Sequence, residues 1–215
     1  MDFDLIIFDC DGVLVDSEIL SNQILRDRLA FYGLDLSLEQ VIETFVGRSM
    51  TKVQSIAEKL LNKPLPDDFL NLLQIDTFKV FETDLKPVKN IRDVLVKLRD
   101  SNVKFCVASS GNFEKMDVTL SLTGLKNFFD NRIFSASQVS RGKPYPDLFL
   151  YAADQMQVEP ARCLVIEDSV PGVQAAVSAG MEVMAYSVRG FDKQLKKAGG
   201  LVIKDMREAT NHIFK

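Results

Sequence analysis

The stretch Phe3-Asp4-Leu5-Ile6-Ile7-Phe8-Asp9-Cys10-Asp11-Gly12-Val13-Leu14-Val15-Asp16-Ser17 decides how this chain is read. Residues 3–8 contain an apolar run too short for a helix and closed by Asp9 and Gly12, so they read as a buried strand ending in a turn. Three runs resemble it, at 103–108, 163–166 and 183–186, and a weaker one lies near 132–134. Helical periodicity falls between them, at 91–98, 113–123, 148–156 and 170–179, with Gly180 as the expected C-cap of the last.

Strands alternating with helices of this length are the pattern of βαβ units. The fold class expected is α/β, a Rossmann-like parallel sheet core with helices on both faces. Residues 16–85 break the alternation. They read as four successive amphipathic helices, 18–32, 37–45, 51–61 and 67–81, separated by Gly33, by Gly47-Arg48-Ser49 and by Pro64-Leu65-Pro66. Ser37 followed by Gln40 has the form of a capping box, which supports a helix start there. The expected organisation is an α/β core made of residues 1–15 and 86–215, with an inserted helical domain at 16–85.

Composition narrows the function. The 215 residues carry 30 acidic and 26 basic side chains, a formal net charge of −4, and no Lys/Arg stripe of the kind that binds nucleic acid. The single histidine, His212, stands near the end, which excludes a multi-histidine metal centre and disfavours a Ser–His or Cys–His triad. Cys10, Cys106 and Cys163 are too few and too scattered for a disulfide framework. The first residues lack the basic and apolar regions of a signal peptide, and no window approaches a membrane span. A cytoplasmic protein is expected, acting on a small molecule and not on nucleic acid or membrane.

The polar residues that follow the apolar runs carry the chemistry. Asp9 and Asp11 follow the first; Ser109 and Ser110 follow the second; Lys143 lies after the weak strand; Glu167 and Asp168 follow the run at 163–166. In an open parallel sheet ligands bind at the carboxyl ends of the strands, so most of these groups are expected to converge. Carboxylates crowded together repel unless a cation joins them, and with no histidine or paired cysteine the donors are hard oxygens that suit Mg²⁺. Mg²⁺, hydroxyls and a lysine together fit phosphate chemistry, in which an aspartate can be the nucleophile and a second carboxylic acid the proton carrier. Taken singly, each fragment also reads as turn or helix-cap chemistry. Asp9-Cys10-Asp11-Gly12 is not an EF-hand loop, because Leu14 and Leu20 stand where that loop needs Gly and Glu.

Together these residues resemble the haloacid dehalogenase superfamily, in its subgroup of phosphohydrolases with a helical C1 cap. The resemblance covers essentially the whole chain. Phe8–Ser17 is similar to the first motif of that family, Ala108-Ser109-Ser110 to the second, Gly142-Lys143-Pro144 through Asp147 to the third, and Ile166-Glu167-Asp168-Ser169 with Gly172 to the fourth. The resemblance implies that Asp9 is nucleophile and metal ligand, and that Asp11 is acid and base and offers its backbone carbonyl to the metal. It implies that Ser109 and Lys143 hold the phosphoryl group, that Lys143 also shields the Asp9 charge, that Asp168 ligates Mg²⁺, and that Glu167 ligates it or positions its water. Residues 16–85 then correspond to the cap, which closes over the site. Within the cap Gly47 and Arg48 are expected to meet substrate, as are Ser110 and Asn112 after the second motif.

Within the family the chain is closest to phosphatases of sugar phosphates and sugar-acid phosphates such as 6-phosphogluconate. The expected activity is a Mg²⁺-dependent phosphatase working through an aspartyl-phosphate. The alternative is a β-phosphoglucomutase-like isomerase. That branch carries a cap histidine near the position of Ser21, and this chain has no histidine before residue 212. A phosphonatase would need a reactive cap lysine, and Lys52, Lys59 and Lys63 read as exposed helix lysines. The chain is expected to act as a monomer.

Overall fold

The computed structural model describes residues 3–46, 48–188 and 190–214. By its internal packing the chain forms two compact units, Met1–Asp16 with Lys86–Lys215, and Ser17–Leu85.

The first unit is built on a six-stranded, wholly parallel sheet. Its strands are β1 (Leu5–Phe8), β2 (Lys104–Ser109), β3 (Ile133–Ser135), β4 (Cys163–Glu167), β5 (Glu182–Tyr186) and β6 (Leu201–Ile203), in the order β3-β2-β1-β4-β5-β6. This is the expected α/β class. Every residue of β1 is buried, which explains its uninterrupted apolar sequence: a parallel strand covered on both faces has no side to present to water. Leu5 and Ile7 pack with Cys106, Leu148, Phe149 and Val165, while successive strand residues point to opposite faces. The Phe8 ring meets Phe129 edge-on at 6.4 Å.

In the second unit, four helices, α1 (Glu18–Phe31), α2 (Leu38–Phe45), α3 (Met50–Leu61) and α4 (Phe69–Asp84), enclose Leu25, Leu29, Val41, Phe45, Val53, Phe69 and Leu73. The capping box forms: Ser37 Oγ accepts from Gln40 N, and Gln40 Oε1 accepts from Ser37 N at 2.8 Å. Ser49 caps α3, which is why that helix starts at Met50, one residue before its apolar period shows.

The remaining helices belong to the first unit: α5 (Ile91–Arg99), α6 (Phe113–Leu122), α7 (Asp147–Gln155), α8 (Val170–Ser178), α9 (Asp192–Lys197) and α10 (Met206–Ile213). Gly180 follows α8 with φ +73°, a left-handed conformation open to glycine, as expected of a C-terminal cap. Strand β6 and helices α9 and α10 add to the expected elements. β6 is a three-residue edge strand, half open to solvent, too short to announce itself by pattern. Among the described residues no helix is long and apolar enough to cross a membrane.

Candidate functional site

The chain runs outward from β1 through β2 to β3, then crosses back to place β4 on the other side of β1, so the crevice at the carboxyl ends of β1, β2 and β4 is a topological switch point. Register sets its residues. Phe8 lies opposite Val107 on β2 and Ile166 on β4, which puts Asp9, Ser109 and Glu167 at neighbouring strand ends. The backbone N–H of Asp9 donates to the Ile166 carbonyl at 3.0 Å, extending the ladder to the first polar residue.

Lys143 reaches this point from the segment before α7. Its Nζ donates to Asp9 Oδ1 at 2.5 Å and to Glu167 Oε1 at 2.7 Å, and lies 5.0 Å from the centre of the Phe149 ring. All three side chains are buried, the lysine 5% exposed and the glutamate 1%. Burial pushes the Asp9 carboxyl up to about 7, Lys143 pulling it back and Glu167 adding to the rise. For Lys143, burial opposes the charge, but the two carboxylates prevail and hold its pKa above the ordinary lysine value. Fully ionised, two carboxylates and one ammonium leave one negative charge unbalanced in a buried place.

Glu167 is committed on both oxygens. Oε1 takes the Lys143 bond, and Oε2 accepts from the backbone N–H of Asp168 at 2.8 Å, that of Ser169 at 2.7 Å and the Ser169 hydroxyl at 2.9 Å. Ser169 Oγ in turn accepts from Gly172 N at the start of α8. A Cβ on Gly172 would stand 1.8 Å from Glu167 Oε1, so only glycine lets α8 come this close. The fourth motif thus builds a turn around its own glutamate.

Asp11 points to a partner that the sequence did not disclose. Its Oδ2 accepts from Lys115 Nζ at 2.7 Å. Burial opposes the Lys115 charge, but the Asp11 carboxylate outweighs it and raises the lysine pKa. Asp168 lies against the same loop: a Cβ on Gly12 would fall 2.0 Å from Asp168 Oδ2, and Gly12 has φ +76°. Ser109 is buried at the end of β2, its Oγ accepting from Gly111 N at 3.2 Å. Asn112 is the N-cap of α6, its Oδ1 accepting from Lys115 N at 2.8 Å, and Ser110 is exposed. In the helical unit Arg48 is exposed and its Nε donates to the Thr44 carbonyl at 2.7 Å. Gly47 lies outside the described residues. His212 pairs with Glu182, the first residue of β5, at the opposite edge of the sheet from the strand ends described above.

The structure therefore brings together Asp9, Lys143 and Glu167, with Ser109 at the adjoining strand end, Asp11 preceding Gly12 in the first-motif loop and Asp168 packed against Gly12. Among the described residues no three His, Cys, Asp or Glu side chains form a ready metal-holding group. The carboxylates of Asp9 and Asp168 offer hard oxygens, and the buried cluster of Asp9, Glu167 and Lys143, when fully ionised, carries excess negative charge. Both features fit a small divalent cation that takes one or two carboxylates and otherwise water and backbone oxygen.

The family model of haloacid dehalogenase-like hydrolases matches residues 3–180. The 6-phosphogluconate phosphatase of Escherichia coli is 27% identical over 191 residues, 88% of this chain and 85% of that protein. A haloacid dehalogenase family hydrolase from Deinococcus radiodurans, solved with bound phosphate and sodium, superposes with a TM-score of 0.84 at 30% identity, over 99% of this chain and 95% of that one. A Thermotoga maritima protein described as a candidate β-phosphoglucomutase gives a TM-score of 0.83 at 28% identity, over 98% of each chain. The chain belongs to the haloacid dehalogenase-like hydrolases.

Proposed function

We propose that this hydrolase is a Mg²⁺-dependent phosphatase of small phosphorylated metabolites, sugar phosphates or sugar-acid phosphates, working through a phosphoaspartyl intermediate on Asp9. The observation that carries the reading is the buried ion pair of Lys143 with Asp9 at the switch point of the sheet, beside the Ser109 hydroxyl.

The proposed sequence of events uses this chain's own groups. A carboxylate oxygen of Asp9 attacks phosphorus and the bond to the leaving oxygen breaks, while Asp11 gives that oxygen a proton. Lys143 and Ser109 meet the equatorial phosphoryl oxygens, where fixed donors in a dry site act most strongly. Asp11 then takes a proton from water, the water oxygen bonds to phosphorus, the Asp9–phosphorus bond breaks and inorganic phosphate leaves. Asp9, Asp168 and the Asp11 carbonyl would hold the Mg²⁺, which supplies positive charge against the phosphoryl oxygens and offsets the burial of Asp9. Glu167, occupied by Lys143 and its own turn, serves the metal at most through water.

We read the unit Ser17–Leu85 as the cap, with Gly47 and Arg48 as substrate contacts and Ser110 and Asn112 as further ones. The chain is proposed as a cytoplasmic monomer. The sugar-acid substrate class rests on the likeness to 6-phosphogluconate phosphatase. The likeness to a candidate β-phosphoglucomutase favours a mutase as the second reading, and the lack of any histidine before His212 weighs against it.

The test is inorganic phosphate release from a panel of sugar phosphates and sugar-acid phosphates with Mg²⁺, run beside Asp9→Asn. Release by the natural protein and none by the variant is expected. Rapid formation of glucose 6-phosphate from β-glucose 1-phosphate, primed by the bisphosphate and with no phosphate released, would establish the mutase instead.

A further inference from the structure

Helix α6 touches the first-motif loop at two successive residues. Lys115 Nζ donates to Asp11 Oδ2 at 2.7 Å, and Thr119 Oγ1 lies 3.8 Å from Cys10 Sγ. Lys115 and Thr119 are four apart, so they share one face of α6, and the Thr119 hydroxyl bonds the Lys115 carbonyl at 2.9 Å. The lysine is anchored at its base as well, because Asn112 caps its backbone N–H. Its stem runs beside Gly111: a Cβ there would be 3.8 Å from Lys115 Cδ and 3.6 Å from Ser109 Oγ. The ammonium therefore arrives from a capped first turn, beside the buried hydroxyl of Ser109, to bond one oxygen of Asp11. Its side chain is 32% exposed and that of Asp11 is 23% exposed, so this pair is not a freely solvated surface bridge.

We propose that Lys115 is the positioning residue for Asp11, holding its carboxyl group in the orientation from which it exchanges a proton with the leaving-group oxygen. The inference rests on the reading of Asp11 as the acid of the phosphatase reaction. The step it governs is the first half-reaction, in which the Asp9–phosphorus bond forms, the phosphorus–leaving-group bond breaks and the Asp11 proton passes to the leaving oxygen. Lys115 forms no bond to phosphorus.

The dependence on leaving group separates this role from general damage. A sugar alkoxide leaves poorly without a proton, whereas p-nitrophenolate is a stable anion that leaves without one. kcat/KM reports only steps through the first phosphoryl transfer, so the two esters can be compared directly. Lys115→Met should lower kcat/KM on the best sugar phosphate at least tenfold more than on p-nitrophenyl phosphate. Lys115→Arg, which keeps a donor and a charge, should recover most of that difference. In an Asp11→Asn background, Lys115→Met should change the ratio no further.

Equal losses on both esters in Lys115→Met, with the selective loss intact in Asp11→Asn, would overturn the role of Lys115 alone. Equal losses on both esters in Asp11→Asn would overturn the reading of Asp11, and this proposal with it. A further drop in the ratio when Lys115→Met is added to Asp11→Asn would likewise overturn it, since a residue that acts through Asp11 has nothing left to position. Circular dichroism of each variant identifies any loss due to misfolding, and the arginine variant then carries the test: a ratio as low as that of Asp11→Asn in folded Lys115→Arg would also overturn the proposal.

Discussion

Lys143 Nζ stands 2.5 Å from Asp9 Oδ1, although 134 residues separate the two in the chain. The same nitrogen bonds Glu167, so one buried cation serves two buried carboxylates.

Removing that cation should harm both activity and folding. Lys143→Met takes a charged donor from a dry site, an effect worth about a 10²–10³-fold drop in kcat. It also leaves two buried carboxylates without their partner, which should cost about 3–5 kcal/mol of stability. Steady-state kinetics and urea unfolding measure the two losses. Unchanged turnover in a folded variant would show that Lys143 has no part in the reaction.

Two glycines should fail in different ways when given a methyl group. Gly172→Ala drives a Cβ to 1.8 Å from Glu167 Oε1, so Glu167 and with it Lys143 must move. Overpacking of this kind costs about 1–3 kcal/mol, and here it should lower kcat while metal affinity changes little. Gly12→Ala places a Cβ 2.0 Å from Asp168 Oδ2 at a residue with φ +76°, and it should weaken metal binding first. Calorimetric titration with Mg²⁺ beside phosphatase assays separates them, and identical behaviour of the two variants would contradict this division.

Asp168→Asn should raise the Mg²⁺ concentration needed for half-maximal activity at least tenfold. Glu167→Gln should reduce turnover with a smaller change in that concentration, because both Glu167 oxygens are already engaged by Lys143 and the turn. Direct titration with Mn²⁺, followed by electron paramagnetic resonance, checks affinity apart from catalysis. An equal loss of affinity in both variants would make Glu167 a direct ligand.

The raised pKa of Asp9, about 7 through burial, gives metal binding a direction with pH. Below pH 7 a proton occupies the carboxyl group that the metal needs; above it the carboxylate is available. Without metal, the unfolded chain releases this proton near its ordinary value of 3.8 and the folded chain keeps it to about 7, so the stability from this group is lost as pH rises across that window. At pH 8, Mg²⁺ at a hundred times its Kd should restore about 2.7 kcal/mol. For a chain of this size that raises Tm by about 5–10 °C. At pH 5 the rise should be less than half as large. Scanning calorimetry at the two pH values measures it, and equal rises would remove Asp9 from the metal site.

Arg48→Ala should change the order of preference among phosphate esters by more than it changes hydrolysis of p-nitrophenyl phosphate. A substrate panel measures this. A uniform loss would mean that Arg48 acts on the fold of its own unit, where its Nε bonds the Thr44 carbonyl, and not on recognition.

The α/β class and the placing of chemistry at strand ends were legible in the sequence because both are local. A four-residue apolar run bounded by turn residues reads as a buried parallel strand, and the polar residue that follows it then stands at the carboxyl end of that strand. Asp9, Ser109 and Glu167 were readable on that ground. β6 was not, because three half-exposed residues carry no period to recognise. The pairings are another matter, since a charged side chain does not encode its partner in its neighbours. The approach of Lys143 to Asp9 was implied by the family resemblance, but only the tertiary structure decided that Glu167 gives both its oxygens to Lys143 and its own turn, and that Lys115, which no motif singled out, meets Asp11. The reason is physical: burial removes water as the default partner of these charges, and the approach of α6 to the first-motif loop and of the segment before α7 to the strand ends selects which groups replace it.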